Sequence, residues 1–190
     1  AESLSIDNVD WSDLRYQFGQ SEDPTETDFQ VAWNVKQTEE SLIFWAEVKD
    51  DTVLTRQGEA GFKQDYLGVV VNADPLPMSM LDEGERWHEI SLVFLACPVP
   101  LEEPPITIYT DRYDFTIPHY CHPVEGGYRF AAELPLSYVE DRLGRNWQQL
   151  RINVSVQDED PGQEEKPRFY WQPNWRGDTN LVGSGLFFRN

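Results

Sequence analysis

Apolar side chains return at every second residue in one segment after another of this chain, and that period admits few folds. In residues 29–35 they are Phe29, Val31, Trp33 and Val35, and in 42–48 they are Leu42, Phe44, Ala46 and Val48. In 150–156 they are Leu150, Ile152, Val154 and Val156. A two-residue period places these side chains on one face of a β-strand and their neighbours on the other. The polar run KQTEE between the first two segments reads as a hairpin turn. The second strand also carries Ile43, Trp45 and Glu47 on its opposite face, which places it centrally in a sheet. Core packing is therefore expected for Trp33 and Trp45. Further strands read from DYLGVVV, stopped by Asn72, Asp74 and Pro75, and from WHEISLVFLA and ITIYT. The last ones read from YRFAAELPL behind Gly126 and Gly127, from RFYWQ and from GLFFR.

Asp10 can cap a helical turn carrying Trp11 and Leu14, and Ser137 can cap a short helix over 138–143 that ends at Gly144. Residues 111–124, with His119, Cys121 and His122, read as irregular. Eight or nine strands with one short helix and no long helical crossover define an all-β fold, a single antiparallel β-sandwich with jelly-roll or immunoglobulin-like layers. Residues 1–28 read as a leading segment wrapped on the body and 29–190 as the sandwich, one domain overall.

Charge excludes some partners. Thirty-four Asp and Glu against fifteen Lys and Arg give a net charge of −19, which repels a phosphate backbone or an anionic membrane surface. No run approaches the roughly 18 apolar residues of a membrane span. No charged-then-apolar leader opens the chain, and its opening Ala-Glu-Ser fits the remnant of a processed signal peptide. Cys97 and Cys121, with no CxxC partner, read equally as one disulfide or as two buried thiols.

The chemistry concentrates in residues 150–175. One face of the 150–158 strand presents Arg151, Asn153, Ser155 and Gln157, side chains suited to the donors and acceptors of sugar hydroxyls. Gln172 and Asn174 stand between Trp171 and Trp175 and suit the same task. A tryptophan stacks on the C–H face of a pyranose by dispersion and a weak electrostatic pull. Trp171 alternates with Phe169 along a strand, so it reads as a core residue as well as a ligand contact. Trp175 stands beyond Pro173 in a loop.

Calcium wants six to eight oxygens, and Asp50, Asp51, Asp65, Asp74, Asp158 and Asp160 all stand at strand ends. The alternative is a solvated acidic rim. His119, Cys121 and His122 lack a second ligand pair at zinc spacing, and a structural role suits them better. Nucleophile elbow, phosphate loop and dinucleotide fingerprint are absent.

The succession VAWNVKQTEESLIFWAEVKDD, QDYLGVVVNAD, GGYRFAAELPLSYV, RINVSVQDED, RFYW and GSGLFF, in that order, resembles the family 9 carbohydrate-binding modules and their DOMON-like relatives. The resemblance spans residues 29–188. It implies a β-sandwich that binds oligo- or polysaccharide without hydrolysing it, often beside a catalytic domain and often with structural calcium. It also implies a secreted, periplasmic or cell-surface location. Matched by motif, Trp171 is the tryptophan of RFYW and Trp175 the later tryptophan, and a sugar clamp closes with a second aromatic, for which Trp87 stands in the matching stretch. Structural calcium then falls to Asp65, Asp74, Asp158 and Asp160. Ile6, Asp7 and Trp11 match only part of the family's opening motif. Two other functions remain open at this stage: a structural or protein-contact sandwich, and a DOMON-type haem domain using Met78, Met80 and the histidines.

Overall fold

The computed structural model describes residues 4–19, 29–56, 64–73, 91–96, 106–109, 117–162, 168–172 and 185–189. Among them are eleven strands and one α-helix, arranged as two antiparallel sheets. The first sheet runs β1 (Tyr16–Gly19), β2 (Gln30–Gln37), β3 (Ser41–Lys49), β8 (Gly127–Pro135) and β7 (His119–Val124). The second runs β9 (Gln149–Gln157), β4 (Tyr66–Asn72), β5 (Ser91–Ala96) and β6 (Ile106–Tyr109). Two short strands share the free edge of β9. In one, β10 (Arg168–Tyr170) pairs with Ser155–Gln157, and in the other, β11 (Gly185–Phe188) pairs with Gln149–Ile152.

The two-residue period does what it predicts. Trp33, Phe44 and Phe130 of the first sheet meet Val69, Phe94, Ile152 and Val154 of the second in one buried cluster. Phe44 and Phe94 approach edge to face at 6.4 Å across the layers. Trp33 and Trp45 have no exposed surface, and β3 is the middle strand of its sheet. The β2–β3 turn is closed by Thr38, whose hydroxyl accepts the Ser41 N–H at 2.9 Å.

Four local expectations differ. Residues 119–124 form the edge strand β7, in which Tyr120, His122 and Pro123 are exposed and the rest half-buried. The helix α1 (Leu136–Leu143) has Pro135 at its N-cap and carries no side-chain cap, so Ser137 does not cap it. Its register is set by burial of Leu136, Tyr138 and Val139, and the Tyr138 hydroxyl donates to the Val71 carbonyl of β4 at 3.2 Å. Asp10 caps a turn rather than a helix, its carboxylate accepting the Ser12 N–H at 2.9 Å. The leading segment contributes β1 to the first sheet.

Residues ahead of β1 cover part of that sheet's outer face. Leu4, Ile6, Val9, Trp11 and Leu14 pack on Ile43, Trp45 and Ala131. The Trp45 indole N–H donates to the Asp10 carbonyl at 3.2 Å and the Asn34 amide to the Asp13 carbonyl at 2.8 Å. The β7–β8 turn needs Gly127: its φ is +147°, and a Cβ there would lie 1.9 Å from the Val48 carbonyl oxygen.

Candidate functional site

The polar face of β9 is largely enclosed: Asn153, Ser155 and Gln157 are buried, and Arg151 is half-buried. Asn153 clamps the backbone of Gln172. Its amide nitrogen donates to the Gln172 carbonyl at 3.2 Å and its oxygen accepts the Gln172 N–H at 3.0 Å. Gln157 donates to the Gln64 carbonyl at 3.0 Å. These two side chains hold loops, while Arg151, opposite Asn72 and Leu186 in the ladders, retains exposed surface.

The clamp fixes where the chain leaves the sheet. Trp171 still donates its N–H to the Val154 carbonyl at 2.8 Å, and β11 resumes at Gly185 opposite Ile152. Both ends of segment 173–184 are thus anchored at adjacent positions of β9. Asn174 and Trp175 fall in that segment, outside the described residues, as do Trp87 and Asp74. The Asn153→Ala variant loses the two hydrogen bonds to Gln172 and a third, which the Asn153 oxygen accepts from the Val154 N–H at 3.0 Å, and so takes a partner from three backbone groups. Its expected loss of stability is about 1–3 kcal/mol, read from the urea midpoint; an unchanged midpoint would show that the clamp contributes nothing.

Trp171 is engaged in packing. Its ring meets Trp33 edge-on at 4.9 Å and Tyr16 at 5.3 Å, and a Cβ on Gly185 would lie 2.1 Å from it. Of the two readings open for this residue, the geometry favours the core.

A second constellation joins three strand ends. Carboxylate oxygens of Asp50, after β3, Asp65, before β4, and Asp158, after β9, lie within 4.8 Å of one another, and all three residues are buried. Burial pushes the Asp65 carboxyl up to about 8, and the charges of Asp50 and Asp158 push the same way. Yet both Asp65 oxygens accept backbone N–H groups, from Leu54 and, at 2.8 Å, from Glu159, which favours the carboxylate. Three close carboxylates, one held by two donors, suit a bound cation. Their hard oxygens suit calcium. Asp160 is half-buried and stands outside the cluster, and Asp51 is exposed. Next to the cluster Glu159 pairs with Arg56 through both terminal guanidinium nitrogens. Sequence alone carries no sign of that pair, whose members are far apart along the chain.

His119 and Cys121 face inward on β7 and His122 outward, so the three do not converge. A cleft of about 640 Å³ opens beside the part of β2 that β1 leaves uncovered, lined by Val35, Leu42, Trp147, Leu150 and Phe187. Its size suits a small molecule, but Asn34 is used by Asp13 and Val35, and Arg15 and Lys36 both pair with Asp13.

The two-layer architecture is shared with solved carbohydrate-binding modules. A family 9 module from Caldicellulosiruptor kristjanssonii in complex with glucose matches with a TM-score of 0.64 and 16% identity, over 97% of this chain and 90% of that one. A family 9 module from the same organism in complex with cellotriose matches with a TM-score of 0.53 and 16% identity, over 86% of this chain and 72% of that one. No family sequence model matches the chain, and no curated protein matches it by sequence. The fold is that of a family 9 carbohydrate-binding module.

Proposed function

We propose that the protein is a non-catalytic carbohydrate-binding module that stacks a sugar ring on Trp175. The observation that carries this reading is the likeness of nearly the whole sandwich to a module in complex with glucose. The clamp of Asn153 on Gln172 supports it, because it fixes one end of the segment bearing Trp175. A pyranose presents C–H bonds on its faces and hydroxyls on its rim, so one flat ring with a few planar polar groups suffices for recognition. Arg151, Gln172 and Asn174 supply those groups, and Trp87 is the second aromatic. Asn153 and Gln157 act as positioning residues.

Asp50, Asp65 and Asp158 hold a structural calcium ion that neutralises their mutual repulsion and ties three strand ends together. The module works where polymeric glycan is found, secreted, periplasmic or at the cell surface, and keeps an attached catalytic domain on its substrate. Isothermal titration with glucose, cellotriose and xylo- and manno-oligosaccharides tests the reading. Saturable binding of at least one is expected; absence of heat with all of them, together with no retention on polymeric glycans, sinks it.

A further inference from the structure

The outer face of the first sheet carries a row of rings outside the buried cluster that joins the two sheets. Tyr120 and His122 stand two residues apart on the edge strand β7, both exposed and on the same face, with ring centroids 5.7 Å apart. Trp11, from the segment ahead of β1, continues the row at 6.2 Å from Tyr120. Beside them Arg129, opposite His122 in the ladder, donates from Nε to Glu47 at 2.7 Å, and its guanidinium lies 4.9 Å from the Trp11 ring centroid.

We infer that Trp11, Tyr120 and His122 form a second carbohydrate-contact platform, which takes an extended neutral polysaccharide chain. Isolated exposed aromatics are ordinary, but three contiguous rings make a patch. Attachment of the leading segment accounts for Trp11, half-buried on Ala131 and Trp45. It does not account for the exposure of Tyr120 and His122. The Arg129–Glu47 pair offers planar donors and acceptors next to the rings, the arrangement that suits hydroxyls. The net charge of −19 disfavours a polyanion. A long neutral polymer engages successive rings, whereas a short sugar gains little from them.

This inference rests on the saccharide reading and adds a site on the sheet opposite the one that carries β9. Contact at both sites raises the apparent affinity for polymer without changing that for a short ligand.

The test compares wild-type protein with Tyr120→Ala, His122→Ala and the double variant. Affinity electrophoresis through hydroxyethylcellulose, xylan or mannan gels is run alongside cellotriose titration. The double variant is expected to lose about tenfold in apparent affinity for the retained polymer, the equivalent of about 1.4 kcal/mol. Its cellotriose affinity and melting temperature stay unchanged. Equal retention of wild type and double variant overturns the platform while leaving the first site intact. Failure of the wild type to bind any saccharide overturns both.

Discussion

Replacing Trp175 with alanine should weaken saccharide binding by roughly 30- to 700-fold, the equivalent of about 2–4 kcal/mol for a tryptophan anchor at the centre of a contact. The same substitution should leave the melting temperature close to that of the wild type. A tryptophan in the core behaves oppositely: truncation costs about 3–5 kcal/mol of stability. Trp33, fully buried among Phe44, Trp171 and Phe187, is the internal control, and Trp33→Ala should lower the melting temperature sharply. If Trp175→Ala binds as well as the wild type, the stacking site lies elsewhere. If it melts as early as Trp33→Ala, Trp175 is a core residue and the proposed contact is gone.

The second large effect concerns calcium and pH. In the metal-free protein Asp65 is held up to about 8 against an ordinary value of 3.8. Between those values the folded state keeps a proton that the unfolded state releases. The Asp65 contribution to the stability of the metal-free protein therefore falls as pH rises from about 4 to about 8. Calcium competes with that proton, so its stabilising effect grows over the same window. At pH 8 and a free concentration about a hundred times Kd, calcium contributes about 2.7 kcal/mol. For a domain of this size that raises the melting temperature by roughly 5–11 °C over an EDTA-treated sample. At pH 5 the difference should shrink.

Asp158→Asn should lose the calcium response. In EDTA it should melt no lower than wild type, because one negative charge has been removed from beside Asp65. Identical wild-type melting with EDTA and with calcium at pH 8 would leave the cluster as buried acids sharing protons, with no cation.

The strand period made most of the sandwich readable. Segments such as 42–48 and 150–156 bury one apolar face against the opposite sheet, and alternation is the direct mark of that burial. The edge strand β7 has no such mark, because its sequence, HYCHPV, mixes two histidines with tyrosine, cysteine and proline and builds no strong apolar face. Pairing with β8, rather than its own pattern, makes it a strand. The helix α1 starts at Leu136 rather than Tyr138 because burial of Leu136 and Tyr138 outweighs the capping preference of exposed Ser137.

The candidate sites divide similarly. Acids at strand ends are visible in the sequence, but the meeting of Asp50, Asp65 and Asp158 depends on which ends the two sheets bring together. Polar alternation on β9 was equally visible. Its burial was not, since the period of a strand cannot report what covers its second face, and so Asn153 and Gln157 read as ligand contacts rather than as side chains holding loops.

The central claim is that Trp175 stacks on a sugar, and the chain's seven tryptophans offer a direct way to watch it. In a 15N-labelled sample each indole N–H gives its own resonance, assignable by single Trp→Phe variants. On titration with a saccharide that binds, the Trp175 resonance should shift most, with Trp87 following it and Trp33, Trp45 and Trp147 unmoved. A saturable titration that leaves Trp175 unmoved would contradict the account.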